Sequence, residues 1–370
     1  MLKRLGFSVL MSAVLLSAGN GFAQTSFADC GFFFAGVKGG TLIPNDASFR
    51  PQLGNTAIAT VDFGIGARVT GPEYWKRYWN NPYFGIGLSF DRIFNSLTGN
   101  RLSACAFMEN PFAKTGKWDF DWSFGFGVSY VTNTFDSVEN PANEFIGSHL
   151  NAYISAGLGV NYHPSDKVTY YAGVKFSHSS NGTIQLPNKG LNLLQLEAGA
   201  KINRSRLSQK DFETPVYQDR NSIAKQNSIF LTLSPICNSS RISREHFFSG
   251  EFTMGYRRKF HPCFAYGGGL DVMYDGSLTD NYQPYGDVRN AFAESVFGLV
   301  EAYWGSFSIR GGIGYYLHRG VNFSLPYYER IGVYYAFGSR QSLYAGVSIK
   351  AHAAHAQFVE WTLGANIISW

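Results

Sequence analysis

The sequence predicts an all-β chain folding as a transmembrane antiparallel β-barrel of the outer membrane, with about 14–16 strands. Three observations predict it. Aromatic residues make up 16% of the chain, glycines number 41 in 370 residues, and charged residues account for only 15%. Residues 118–130, "WDFDWSFGFGVSY", alternate without a break. Trp118, Phe120, Trp122, Phe124, Phe126, Val128 and Tyr130 share one face; Asp119, Asp121, Ser123, Gly125, Gly127 and Ser129 share the other. That run is longer than most soluble strands and crosses a bilayer when tilted. Finally, after the first 23 residues no apolar run reaches the roughly 18 residues of a membrane-spanning helix. A water-soluble sandwich would need a second sheet to cover so many rings. Lipid covers them directly.

The chain opens on a segment expected to lie outside the fold. Lys3 and Arg4 form a charged start, Phe7–Leu16 an apolar stretch, and Gly21, Phe22 and Ala23 a cleavage site. This is the pattern of a secretory signal peptide over residues 1–23. No lipoprotein cleavage box precedes Cys30. Strands are expected near 31–43, 55–67, 82–96, 100–108, 118–131, 148–163, 167–178 and 191–204. The polar stretch 205–226 interrupts this spacing. A second set falls near 227–237, 245–259, 263–274, 291–304, 306–318, 325–337, 341–351 and 357–370. The expected organisation is barrel strands over 24–204, a connection over 205–226, and further strands of the same barrel over 227–370.

"YYAGVKFSHSSN" and "LYAGVSIKAHAAH", near the ends of the two halves, point to an internal duplication. With the first strand rising from the periplasm, 132–147, 179–190 and 275–290 become extracellular loops. Residues 163–167 and 338–341 become short periplasmic turns, the usual asymmetry of such barrels. Trp370 supplies a terminal aromatic, a feature associated with outer-membrane assembly.

The net charge of +5 calls for no nucleic-acid partner; the headgroup phosphates of outer-membrane lipids are a sufficient use for it. Cys30, Cys105, Cys237 and Cys263 lie far apart, without CxxC or Cys/His metal spacing. Cys237 and Cys263 fall at opposite ends of their strands, so no pairing is expected.

One stretch stands apart: "FSHSSNGTIQLPNKGLN", residues 176–192, at the tip of a hairpin. In the strand before it Val168, Tyr170, Ala172, Val174 and Phe176 suit lipid, and Thr169, Tyr171, Gly173, Lys175 and Ser177 suit a wet lumen. Carrying that parity forward places His178 and Ser180 on the lipid-facing side and Ser179 inside. In the strand after it Leu194, Leu196, Ala198, Ala200 and Ile202 form the apolar face, which Asn192 continues, while Glu197 points to the lumen. Three polar side chains thus meet at the rim of the face where polarity costs most. Two readings account for them: ordinary rim residues at headgroup depth, satisfied by water, or a serine hydrolase with Ser180 as nucleophile, His178 as general base and Asn192 orienting the imidazole; their meeting on the lipid-facing side favours the second.

The same run resembles the signature of the PagL-type lipid A 3-O-deacylases, with its His-x-Ser-Asn sequence followed by Pro-Asn-x-Gly. The resemblance covers about residues 30–204 and leaves the second half outside it. It implies an eight-stranded barrel enzyme of the outer membrane that removes an ester-linked acyl chain from lipid A of lipopolysaccharide. His178 matches the family's base, Ser180 its nucleophile, and Asn181 a residue implicated in binding the oxyanion. Gly182 and Asn188 are further candidates for oxyanion or substrate contact, and turn chemistry explains Asn188 about as well. The family's Glu aligns with Asn192, a departure; Glu197, facing the lumen, is not expected to replace it. No metal or cofactor is implied. The alternative is a non-enzymatic channel or structural barrel carrying a degenerate motif. In the second half His352 has lumen parity and Ala354 stands where a serine would be needed, so no second site is expected there; His355 reads as a rim residue.

Overall fold

The computed structural model describes residues 31–45, 47–71, 73–204, 227–240, 242–281, 291–320, 325–338, 341–353 and 355–370. The signal-peptide segment, Cys30, the 205–226 connection and Ala354 lie outside them. Sixteen strands form among the described residues. The first eight are β1 (Gly31–Ile43), β2 (Ala57–Arg68), β3 (Tyr83–Ile93), β4 (Asn100–Thr115), β5 (Trp118–Val131), β6 (Leu150–Tyr162), β7 (Val168–Ser180) and β8 (Leu191–Asn203). The second eight are β9 (Asn227–Ser239), β10 (His246–His261), β11 (Phe264–Tyr274), β12 (Phe292–Trp304), β13 (Phe307–Arg319), β14 (Tyr327–Phe337), β15 (Leu343–His352) and β16 (His355–Ser369).

These strands close as two barrels of eight, not as the single barrel expected. β8 returns to pair with β1, placing Gly199 opposite Gly36, and β16 pairs with β9, placing Leu363 opposite Leu233. Alternation fixes which way each side chain points, but it says nothing about where a sheet closes. Eight strands already give an interior that side chains can fill, and closing β8 on β1 removes the last open edge. β4 also runs past its expected end, through Pro111 to Thr115. Its register shifts between Pro111 and Ala113, a bulge of the kind that accepts a residue without an N–H.

The facing follows the sequence pattern. In β5 Trp118 and Phe120 are exposed to the surroundings, whereas Asp119 and Asp121 are buried inside. The first barrel's interior carries paired charges: Lys38 with Asp62 (3.0 Å), Lys175 with Glu197 (3.1 Å) and Arg101 with Asp91 (2.8 Å). Charges out of bulk water persist when paired and hydrogen-bonded, as here. At the end of the barrel where β1 meets β2 and β7 meets β8, Leu42, Leu53, Ile58, Ile93, Val131, Phe145, Ile146, Leu191 and Leu193 form a buried apolar cluster. Phe49 packs on it, its ring edge-on to Phe145 at 4.9 Å. The loops at this end therefore rest on an apolar floor.

The second barrel is filled in the same manner. Glu301 accepts hydrogen bonds from Arg257 (2.7 Å), Ser308 (2.7 Å) and Tyr303 (2.8 Å). Glu251 is shared by Lys350 (2.7 Å) and Arg330. Among the described residues no disulfide forms.

Candidate active site

Antiparallel pairing sets His178 of β7 directly opposite Asn192 of β8, so both side chains leave the sheet on the same face. Residues 170, 172, 174 and 176 on that face are exposed, while Thr169, Ser177 and Ser179 are buried inside. The inner face is anchored. Arg101 donates from Nη2 to Ser177 Oγ (2.9 Å), from Nη1 to Ser179 Oγ (3.0 Å), and from Nε to Asp91 (2.8 Å). That grip fixes the twist of β7, which in turn fixes where the outward residues between those serines point.

On the outer face His178 Nε2 lies 2.9 Å from Ser180 Oγ, and His178 Nδ1 lies 2.6 Å from Asn192 Oδ1. Two residues apart on one strand place the hydroxyl and the imidazole side by side; the cross-strand partner completes the line. His178 and Asn192 are half-buried, and Ser180 is buried. The loop after β7 holds the other expected residues. Asn181 donates its backbone N–H to Asn188 Oδ1 (3.1 Å) and its side-chain Nδ2 to Ser148 Oγ (2.8 Å). Asn188 Nδ2 is buried and has no hydrogen-bond partner among the described residues. Gly182 stands just beyond β7 with φ of 61°, in the left-handed region. Glu197 is inside the barrel with Lys175 and Lys38, away from His178.

The return loop is shaped by Gly190, whose φ is 79°. A Cβ there would come within 2.5 Å of His178 Cε1 and 3.2 Å of Nε2. Only glycine leaves room for the ring. Gly190→Ala should therefore push the imidazole off Ser180 and lower turnover about 100-fold, the cost of roughly an ångström's misplacement of a reacting group. The barrel itself should still assemble, which heat-modifiable migration in gels would check alongside activity.

The loop between β5 and β6 supports this hairpin: Phe145 O accepts from Gly190 N–H (2.9 Å), and Ile146 bridges to Asn188. These supports and Asn45 carried no signal in the sequence. Asn192 Nδ2 donates to Asn45 Oδ1, and Asn45 Nδ2 donates to Lys189 O. Asn45 reaches the site because Ile43, two residues earlier, pairs with Asn192. Lys189 is exposed, its ammonium 6.0 Å from the centre of the Phe49 ring.

In the second barrel His352 points inward and shares a hydrogen bond of 3.0 Å with Tyr316 Oη, the two rings stacked 5.7 Å apart. The side chain of His355 lies outside the described residues. Among the described residues no group of three His, Cys, Asp or Glu is placed to hold a metal ion.

A family model described as lipid A 3-O-deacylase (PagL) matches residues 61–201. A second, described as the acyloxyacyl hydrolase C-terminal domain, matches residues 226–370, so the second half is not outside the resemblance as the sequence led us to expect. Among solved structures, the outer membrane enzyme PagL is 18% identical, covering 46% of this chain and 98% of its own, with a TM-score of 0.30. Neisserial surface protein A is 12% identical, covering 46% of this chain and 96% of its own, with a TM-score of 0.34. No curated protein matches the chain. One family model falls on each barrel, and the chain belongs to the PagL family of lipid A 3-O-deacylases, enzymes of the outer membrane.

Proposed function

We propose that the chain removes an ester-linked acyl chain from lipid A, with Ser180 as nucleophile and His178 as general base. The observation that carries this reading is the unbroken line Ser180–His178–Asn192 on the outer face of β7 and β8, where acyl chains of the membrane lie. With Asn192 Oδ1 as acceptor, His178 carries its proton on Nδ1 and leaves the Nε2 lone pair for the serine hydroxyl. Ser180 Oγ adds to the ester carbonyl carbon as its proton passes to Nε2. The tetrahedral intermediate collapses, the C–O bond to the sugar breaks, and His178 returns the proton to the departing oxygen. Water then adds to the acyl-serine by the same route in reverse, and the fatty acid leaves.

The developing oxyanion needs donors aimed at it. The backbone N–H of Asn181 is already given to Asn188 Oδ1, so the buried Asn188 Nδ2 is the better candidate. A buried amide N–H without an acceptor is costly in the resting enzyme, and that cost is relieved when the oxyanion forms. Mass spectrometry of lipid A from cells with and without the protein tests the reading. The expected result is loss of one acyl chain only where the protein is present; identical spectra would overturn it.

A further inference from the structure

An amide is an incomplete substitute for a carboxylate at the third position, because it has two different ends. A carboxylate offers His178 Nδ1–H an acceptor whichever way it turns; an asparagine turned the wrong way offers a second donor instead. We propose that Asn45 is a positioning residue that fixes the orientation of Asn192, and through it the proton on His178. This rests on the Ser180–His178–Asn192 reading.

One group in this line of contacts has a fixed polarity. The carbonyl oxygen of Lys189 can only accept, so Asn45 must present its NH2 end to it. Asn45 Oδ1 then faces Asn192, which must answer with Nδ2. Asn192 Oδ1 is thereby turned to His178 Nδ1, which must carry the hydrogen. Nε2 is left with its lone pair 2.9 Å from Ser180 Oγ. Each link has one arrangement that satisfies both partners, and the first link is backbone. Lys189 is itself held in place within the loop, since the adjacent Gly190 N–H donates to Phe145 O and the preceding Asn188 bridges Ile146. A relay of four hydrogen bonds across two loops thus sets the tautomer of the base.

The test is a double-mutant cycle on purified enzyme with lipid A as substrate. Asn45→Ala should lower kcat about tenfold with little change in KM, because Asn192 is free to turn its NH2 end to His178. Asn45→Asp keeps the acceptor toward Asn192 Nδ2 but sets a second acceptor against Lys189 O, so its kcat should fall between those of the native enzyme and Asn45→Ala. In the Asn192→Glu background the third group has no wrong end, so adding Asn45→Ala should cost less than about twofold. Equal losses in both backgrounds would overturn the relay and leave Asn45 a mere structural support, and so would full activity of Asn45→Ala in the native background. Ser180→Ala, run alongside, separates this from the parent reading: an inactive Ser180→Ala enzyme with no Asn45 effect sinks the relay alone, whereas an active one sinks both.

Discussion

Ser180→Ala should abolish lipid A deacylation, with a loss on the order of 10⁶ in kcat, the scale on which serine hydrolases depend on their nucleophile. Ser179→Ala, one residue away, should retain most activity. The difference rests on facing. Ser180 shares the outer face with His178 and meets its Nε2 at 2.9 Å, whereas Ser179 points into the barrel and accepts from Arg101 at 3.0 Å. Losing that inner contact still leaves Arg101 bound to Ser177 and Asp91, so β7 keeps its anchor. Activity should be followed by mass spectrometry of lipid A, with heat-modifiable gel migration confirming that both variants assemble. Equal losses from the two substitutions would mean that inner-lumen geometry, not the outer hydroxyl, governs the reaction.

Much of this architecture was legible because the bilayer imposes a simple pattern. A strand between lipid and a polar lumen must alternate, and 118–130 does so throughout; β5 occupies Trp118–Val131. The same rule placed His178 and Ser180 on one face and Ser179 on the other, since parity carries along a strand without reference to its neighbours. What failed was whatever depends on partners. Closure of β8 on β1 is a property of two strands whose paired residues lie from 149 (Ile43 and Asn192) to 171 (Phe32 and Asn203) positions apart, and each reads equally well as part of a larger barrel. Pro111 hid the second half of β4 because a proline argues against a strand unless a bulge receives it. In the site, the neighbours in one hairpin were readable, but Asn45 and Ser148 belong to other loops. Asn45 becomes adjacent only through the pairing of Ile43 with Asn192, and Ser148 only through its contact with Asn181 Nδ2. Short polar residues in loops ordinarily make turns, so nothing in their local sequence set them apart.

Asn192→Ala should lower activity on the order of 100-fold, while Glu197→Gln should leave it within about twofold. The first removes the acceptor 2.6 Å from His178 Nδ1, so the ring loses both its orientation and the partner that holds its tautomer. The second changes a carboxylate that sits inside the barrel with Lys175 and Lys38, with a sheet between it and the imidazole. Its effect should fall on barrel stability, since one of the lysines then lacks its counter-charge. Asn192→Glu carries the argument in the other direction. On the proposed mechanism His178 becomes an imidazolium during attack, and a carboxylate opposite Nδ1 stabilises that cation where an amide supplies only a dipole. A hydrogen bond to a charged partner contributes about 1 kcal/mol more than a neutral one, so kcat should rise about fivefold to tenfold. The gain should appear in kcat with KM little changed, because the charge exists only after attack begins. An inactive Glu197→Gln enzyme together with a normal Asn192→Ala enzyme would place the orienting group inside the lumen and remove the outer face of this hairpin from the reaction.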